Sequence, residues 1–203
     1  VIDRGDEGDS FAREPASNGG YVNVGAYGNT EQASKSPAEF IIVMAPNGGE
    51  AIEQLSTFDI RWHHAGGATV DIEYSSTGLA GTFSTLAAGE SNDGLYEWTV
   101  DPAVFPLGDD YVIRVRSSAN PAVSDASDNT FEIVPAPLQV VSMTPNASGF
   151  ELQFNRAFDP SEFNLYDGAG WTFGASDLVL TSAAGDVRGS VVLDADYGGF
   201  TFV

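Results

Sequence analysis

The sequence predicts an all-β chain built mainly of antiparallel β-sandwiches. Three observations predict it. Short runs of four to eight residues alternate apolar and polar side chains, the period of a strand with one buried face. Turn-forming clusters separate those runs, drawn from 23 glycines and ten prolines in 203 residues. No useful length of sequence carries the 3.6-residue apolar period of a helix.

Punctuation divides the chain into three segments, residues 1–37, 38–134 and 135–203. The first holds the stretch NGGYVNVGAYGNTEQASKSP at 18–37, made of glycine, small polar residues and one aliphatic–aromatic pattern, and closed by a proline. In the second, Phe58, Ile60 and Trp62 of TFDIRW fall on one face, and Val70, Ile72 and Tyr74 of TVDIEYS repeat the pattern. Tyr96, Trp98 and Val100 follow in LYEWTV, then Tyr111, Ile113 and Val115 in YVIRVR, then Phe131 and Ile133 in TFEIV. Turns are expected at PNGG (46–49), AGG (65–67), SNDG (91–94) and LGDD (107–110). Strands at this spacing read as an antiparallel Ig- or fibronectin-like sandwich. The expected core is Phe58, Ile60, Trp62, Ile72, Tyr96, Trp98, Ile113, Val115 and Phe131. The stiff link PAP at 135–137 leads into the third segment, where LQVVSM, FELQFN, DLVLTS, GSVVLD and FTFV read as strands. Five or six strands fall short of the roughly seven of a complete sandwich, so the third domain is expected to be incomplete.

The 29 acidic residues outnumber eight basic ones, giving a net charge of -21. Such a surface repels nucleic-acid phosphates and anionic lipids and attracts divalent cations. The absence of cysteine rules out thiolate metal sites and cysteine nucleophiles and does not argue for the cytoplasm. No run of eighteen apolar residues is present, so no membrane insertion is expected. The acidic opening VIDRGDEGDS lacks the apolar region of a signal peptide. For an exported protein, the signal is expected to lie outside this sequence.

The residues of 2–36 resemble the closing coil of bacterial right-handed parallel β-helix proteins, a group that includes pectate-lyase-like enzymes. The likeness rests on Ile2, Asp3, Gly5, Asp6, Glu14, Pro15, Asn18, Gly19, Gly20, Asn23, Gly25, Ala26, Tyr27, Gly28, Asn29 and Thr30. It implies that a β-helix stands upstream, in a family of polysaccharide lyases, epimerases and adhesins. The middle segment resembles the β-sandwich of the Ser-Thr-rich GPI-anchored membrane family, also found in yeast cell-wall glucan-assembly proteins. Pro46 to Glu50, Trp62, Tyr111 to Val115, Asn120, Pro121, Ser127, Asp128, Phe131 and Ile133 carry that resemblance, which implies an extracellular, non-catalytic module. SMTPNASGFELQFNRAFD and GSVVLDADYGGFTF in the third segment resemble bacterial Ig-like modules of large surface proteins.

Candidate chemistry is confined to a few places. The only histidines, His63 and His64, are adjacent on a strand and point to opposite faces, so they are not expected to share a metal. Asp3, Asp6 and Asp9, with Glu7, make DRGDEGD the densest acidic run. Carboxylates spaced by glycine suit calcium, although the EF-hand spacing is not met. Asp194 and Asp196 in LDADYGG are a second calcium candidate, set against an ordinary Asp/Gly hairpin turn. Trp62 and Trp98 are expected in the core. Trp171, in the small-residue loop DGAGWTFG, is the candidate for stacking on a sugar.

These readings lead to non-catalytic structural or assembly modules of a large secreted or cell-surface bacterial protein. Other protein subunits or cell-surface polysaccharide are the expected partners. Calcium is the only cofactor in question. The alternative is a carbohydrate-binding accessory region of a β-helix polysaccharide lyase or epimerase whose catalytic part lies upstream. An exposed row of aromatics would favour the alternative; apolar inter-subunit patches or strand exchange would favour assembly.

Overall fold

The computed structural model describes residues 2–6, 8–161, 178, 180–187 and 189–203. Among them the chain is all-β, with mostly antiparallel sheets and no helix. It divides into two compact units, Val1–Pro135 and Ala136–Val203.

The first unit opens with turns and bends; its first strand begins at Phe40. Polar side chains hold this strandless segment together. Asn23 accepts the Asp3 main-chain N–H on Oδ1 at 2.8 Å, and its Nδ2 donates to the Ser34 carbonyl at 2.8 Å. Glu14 Oε1 accepts the N–H groups of both Asn23 and Asn29, each at 2.8 Å. Gly5 donates to the Val22 carbonyl, and a Cβ at Gly5 would come within 2.1 Å of the Val22 side chain. Glycine is required there by close approach of the chain rather than by a turn.

The sandwich-like body that follows has nine strands among the described residues. They are β1 (Phe40–Ala45), β2 (Ala51–Glu53), β3 (Thr57–Ala65), β4 (Thr69–Ser75), β5 (Ser84–Ser91), β6 (Leu95–Thr99), β7 (Gly108–Ser117), β8 (Ser124–Ala126) and β9 (Phe131–Val134). One sheet runs β1-β3-β6; the other runs β2-β9-β7-β4-β5, with β8 pairing β7. All these pairings are antiparallel except β2 with β9. The first sheet sends Ile41, Val43, Ile60, Trp62 and Trp98 into a shared core. The second sends Ile52, Val70, Ile72, Tyr111, Ile113, Val115, Phe131 and Ile133. Phe105, from the β6–β7 connection, fills the centre: its ring meets those of Trp98 and Tyr74 edge-on, both at 4.8 Å.

The expected core matches closely, with Phe58 and Tyr96 at its margin, partly buried. LGDD is a correction. It is no turn, because Gly108 opens β7, and a register shift between Gly108 and Tyr111 absorbs the irregular residues against β9. The strands β1, β2, β5 and β8 escaped the alternation rule. FIIVMA is apolar throughout, β2 and β8 are three residues each, and STLAAGES has too few large apolar residues to show a period.

The second unit contains β10 (Val140–Pro145), β11 (Phe150–Phe154), β12 (Thr181–Ser182), β13 (Gly185–Asp186), β14 (Val191–Leu193) and β15 (Gly199–Phe202). β10-β11-β15-β14 form one antiparallel sheet, and β12 pairs with β13. Phe150, Phe200 and Phe202 centre its core, with Leu152, Phe154, Leu178, Leu180, Val191 and Leu193 packed around them. At the sheet edge, β10 is exposed along its whole length.

Candidate functional site

The N-terminal segment meets the sandwich at a defined seam. His63 lies on β3 and is 2% exposed. Its Nδ1 is 2.8 Å from the Asp3 carbonyl oxygen, and its ring stacks on Tyr21 with centroids 3.6 Å apart and planes 11° from parallel. Arg4 adds ion pairs to Asp128 at 3.0 Å and Asp125 at 3.6 Å. Asp125 also accepts the Val43 N–H at 2.9 Å.

The same corner joins PNGGE to Ser127 and Asp128, about eighty residues apart in sequence. Ser127 Oγ donates to the Pro46 carbonyl at 2.7 Å and accepts the Ile113 N–H at 3.1 Å. Asp128 accepts from Asn47 Nδ2 at 3.0 Å, and the Asp128 N–H donates to Asn47 Oδ1 at 2.7 Å. Gly48 sits at φ +123°, where a Cβ would come within 2.4 Å of the Asn129 Cβ. Both the backbone and the contact restrict that position to glycine.

The histidines take different roles. His63 is part of the seam. His64 is half-buried, and burial lowers its pKa, with Asp93 opposing the shift and His63 adding to it. Trp62 and Trp98 are each 1% exposed. Trp62 Nε1 donates to Asn92 Oδ1 at 2.8 Å. Neither tryptophan offers a face to a sugar. Trp171 lies outside the described residues, as does Glu7.

The acidic candidates are not equivalent. Asp6 is exposed and its Oδ1 accepts the Gly8 N–H at 2.9 Å, while Asp9 is also exposed. Asp3 is wholly buried, at 0% exposure. Burial raises its pKa; the nearby Ser36 hydroxyl lowers it, Glu14 raises it and His63 lowers it. The groups around Asp3 are therefore Glu14, Ser36 and His63, not the acidic neighbours on its own loop. Sequence spacing pointed to Asp6 and Asp9 and missed Glu14 and Ser36, which join Asp3 only when the segment folds back on itself. In the second unit, Asp194 accepts from Gln153 Nε2 at 2.8 Å, and Asp196 accepts the Gly198 N–H at 3.1 Å. Both belong to the turn between β14 and β15. Among the described residues, no three His, Cys, Asp or Glu side chains gather as a metal-holding group.

A groove of about 210 Å³ runs beside Tyr27, lined by Ile2, Asn23, Val24 and Gln32 among others. Tyr27 is 64% exposed. In the second unit, the edge strand β10 presents Val140, Val141 and Met143, each more than half exposed.

No protein-family model and no curated protein gives a significant match to this chain.

Proposed function

We propose that the chain is a non-catalytic structural and assembly region of a larger secreted or cell-surface protein. The observation that carries this reading is β10. Val140, Val141 and Met143 are 55%, 61% and 57% exposed on a strand that, among the described residues, is the edge of its sheet, with its outer main-chain groups facing away from β11. An exposed apolar edge is a template for pairing with a strand of another subunit. The role of His63 gives further support. His63 is engaged in holding the N-terminal segment to the sandwich. The resemblances to β-helix coils and cell-wall sandwich modules agree with an extracellular setting.

Sedimentation velocity over a range of concentrations tests the proposal, alongside affinity electrophoresis in gels containing alginate, pectate or glucan. Self-association that weakens in a Val141→Lys/Met143→Lys variant, with no retardation by polysaccharide, is expected. Retardation by a polysaccharide without self-association would replace this reading with the carbohydrate-binding alternative, for which exposed Tyr27 beside Asn23 and Gln32 is the place to look.

A further inference from the structure

We propose that Asp3, Glu14 and Ser36 form a calcium site inside the N-terminal segment. Both carboxylate oxygens of Asp3 are buried without a hydrogen-bond partner. The same holds for Glu14 Oε2 and for Ser36 Oγ. The three residues are 0%, 7% and 9% exposed. Glu14 and the Ser36 hydroxyl both act on the Asp3 carboxyl, which places the three residues in one neighbourhood of the segment. Ser36 is the independent observation. It is not acidic, its hydroxyl is buried beside Asp3, and it closes no hydrogen bond of good geometry there.

Two neighbouring carboxylates out of solvent repel, and unsatisfied buried oxygens are costly. One divalent cation answers both problems, since a charge of two neutralises two carboxylates and the oxygens become ligands. The donors are all hard oxygens, which favours calcium or magnesium over softer metals. Magnesium demands a near-ideal octahedron at short distances, which an irregular set of oxygens does not suit. Calcium accepts irregular oxygen sets and bidentate carboxylates. The local fold keeps the Asp3 carboxyl in place. Asp3 has φ +55°, its N–H is held by Asn23, and a Cβ at Gly19 would come within 2.9 Å of all three carboxyl atoms. Glu14 is fixed through its other oxygen by two main-chain donors. The only other titratable group acting on Asp3 is His63, whose ring nitrogen meets the Asp3 main chain.

The test is isothermal titration of calcium chloride into the full chain, stripped with chelator, at pH 8 and fixed ionic strength. One site is expected, with affinity in the range of about 10⁻⁴–10⁻³ M common for extracellular modules. Asp3→Asn and Glu14→Gln should each weaken it by about tenfold or more, and magnesium should bind more weakly than calcium. Asp6→Asn/Asp9→Asn, which alters only exposed carboxylates, should leave it unchanged. Circular dichroism checks folding. If either carboxylate variant fails to fold, Ser36→Ala gives the reading, with a loss of several-fold in calcium affinity expected. No calcium binding by the parent chain, binding that survives Asp3→Asn or Ser36→Ala unchanged, or binding lost in the Asp6/Asp9 control would each overturn the site. A parent chain that binds no calcium but is stabilised by Asp3→Asn would overturn the site and leave Asp3 as a buried acid without a cation.

Discussion

Asp3 combines a left-handed backbone with a carboxyl group that solvent does not reach. Burial raises its pKa from the ordinary 3.8, and Glu14 pushes in the same direction. The folded chain therefore binds this proton more tightly than the unfolded chain does. The resulting stability is fully present below 3.8 and is lost as the pH rises through the raised folded value. Asn mimics the protonated acid and removes the dependence. In chelator, Asp3→Asn and the parent chain should differ little in urea stability below pH 3.8. The difference should grow in favour of the variant as the pH approaches 7. A gap that stays constant across that range would contradict the assignment.

Among the elements, β6 shows how a short strand can be indispensable. It has five residues and only Trp98 is fully buried. That side chain pairs across to Phe58 in register and meets the rings of Phe105 and Phe131, at 4.8 and 6.3 Å. Truncation opens a cavity where both sheets and the β6–β7 connection converge. Trp98→Ala should cost about 3–5 kcal/mol, read as a lower midpoint in urea with an unchanged slope. A midpoint near that of the parent would remove Trp98 from the core. The opposite lesson comes from the Arg4 ion pairs. Arg4 and its two partners are each more than a quarter exposed, and such pairs contribute at most about 1 kcal/mol. The seam rests more on His63 and Tyr21.

At the scale of the whole molecule, charge sets the conditions under which the chain is stable. A net charge of -21 makes the compact state repel itself. The local arginine pairs, such as Arg114 with Glu73 at 2.6 Å and Arg116 with Asp71 at 3.2 Å, offset only part of this. Screening shortens the range of repulsion to about 8 Å at ~0.15 M salt. The melting temperature should therefore rise as sodium chloride is added from low ionic strength, measured by scanning calorimetry in chelator. A melting temperature that falls over that interval would mean that pairing outweighs repulsion.

The all-β class, the sandwich strands centred on Trp62, Ile72, Trp98, Ile113 and Phe131, and the acidic surface were set by the sequence itself. Alternation and turn chemistry are local, and each strand writes its buried face into adjacent residues. Strands β1, β2, β5 and β8 were decided by tertiary pairing, because they are too short, too uniformly apolar or too poor in large side chains to carry a period. The same holds for the grouping around Asp3. Local spacing placed Asp3 with Asp6 and Asp9, whereas folding placed it with Glu14, Ser36 and His63. Proximity between residues eleven, thirty-three and sixty positions apart is a property of the folded chain, and no window of sequence contains it.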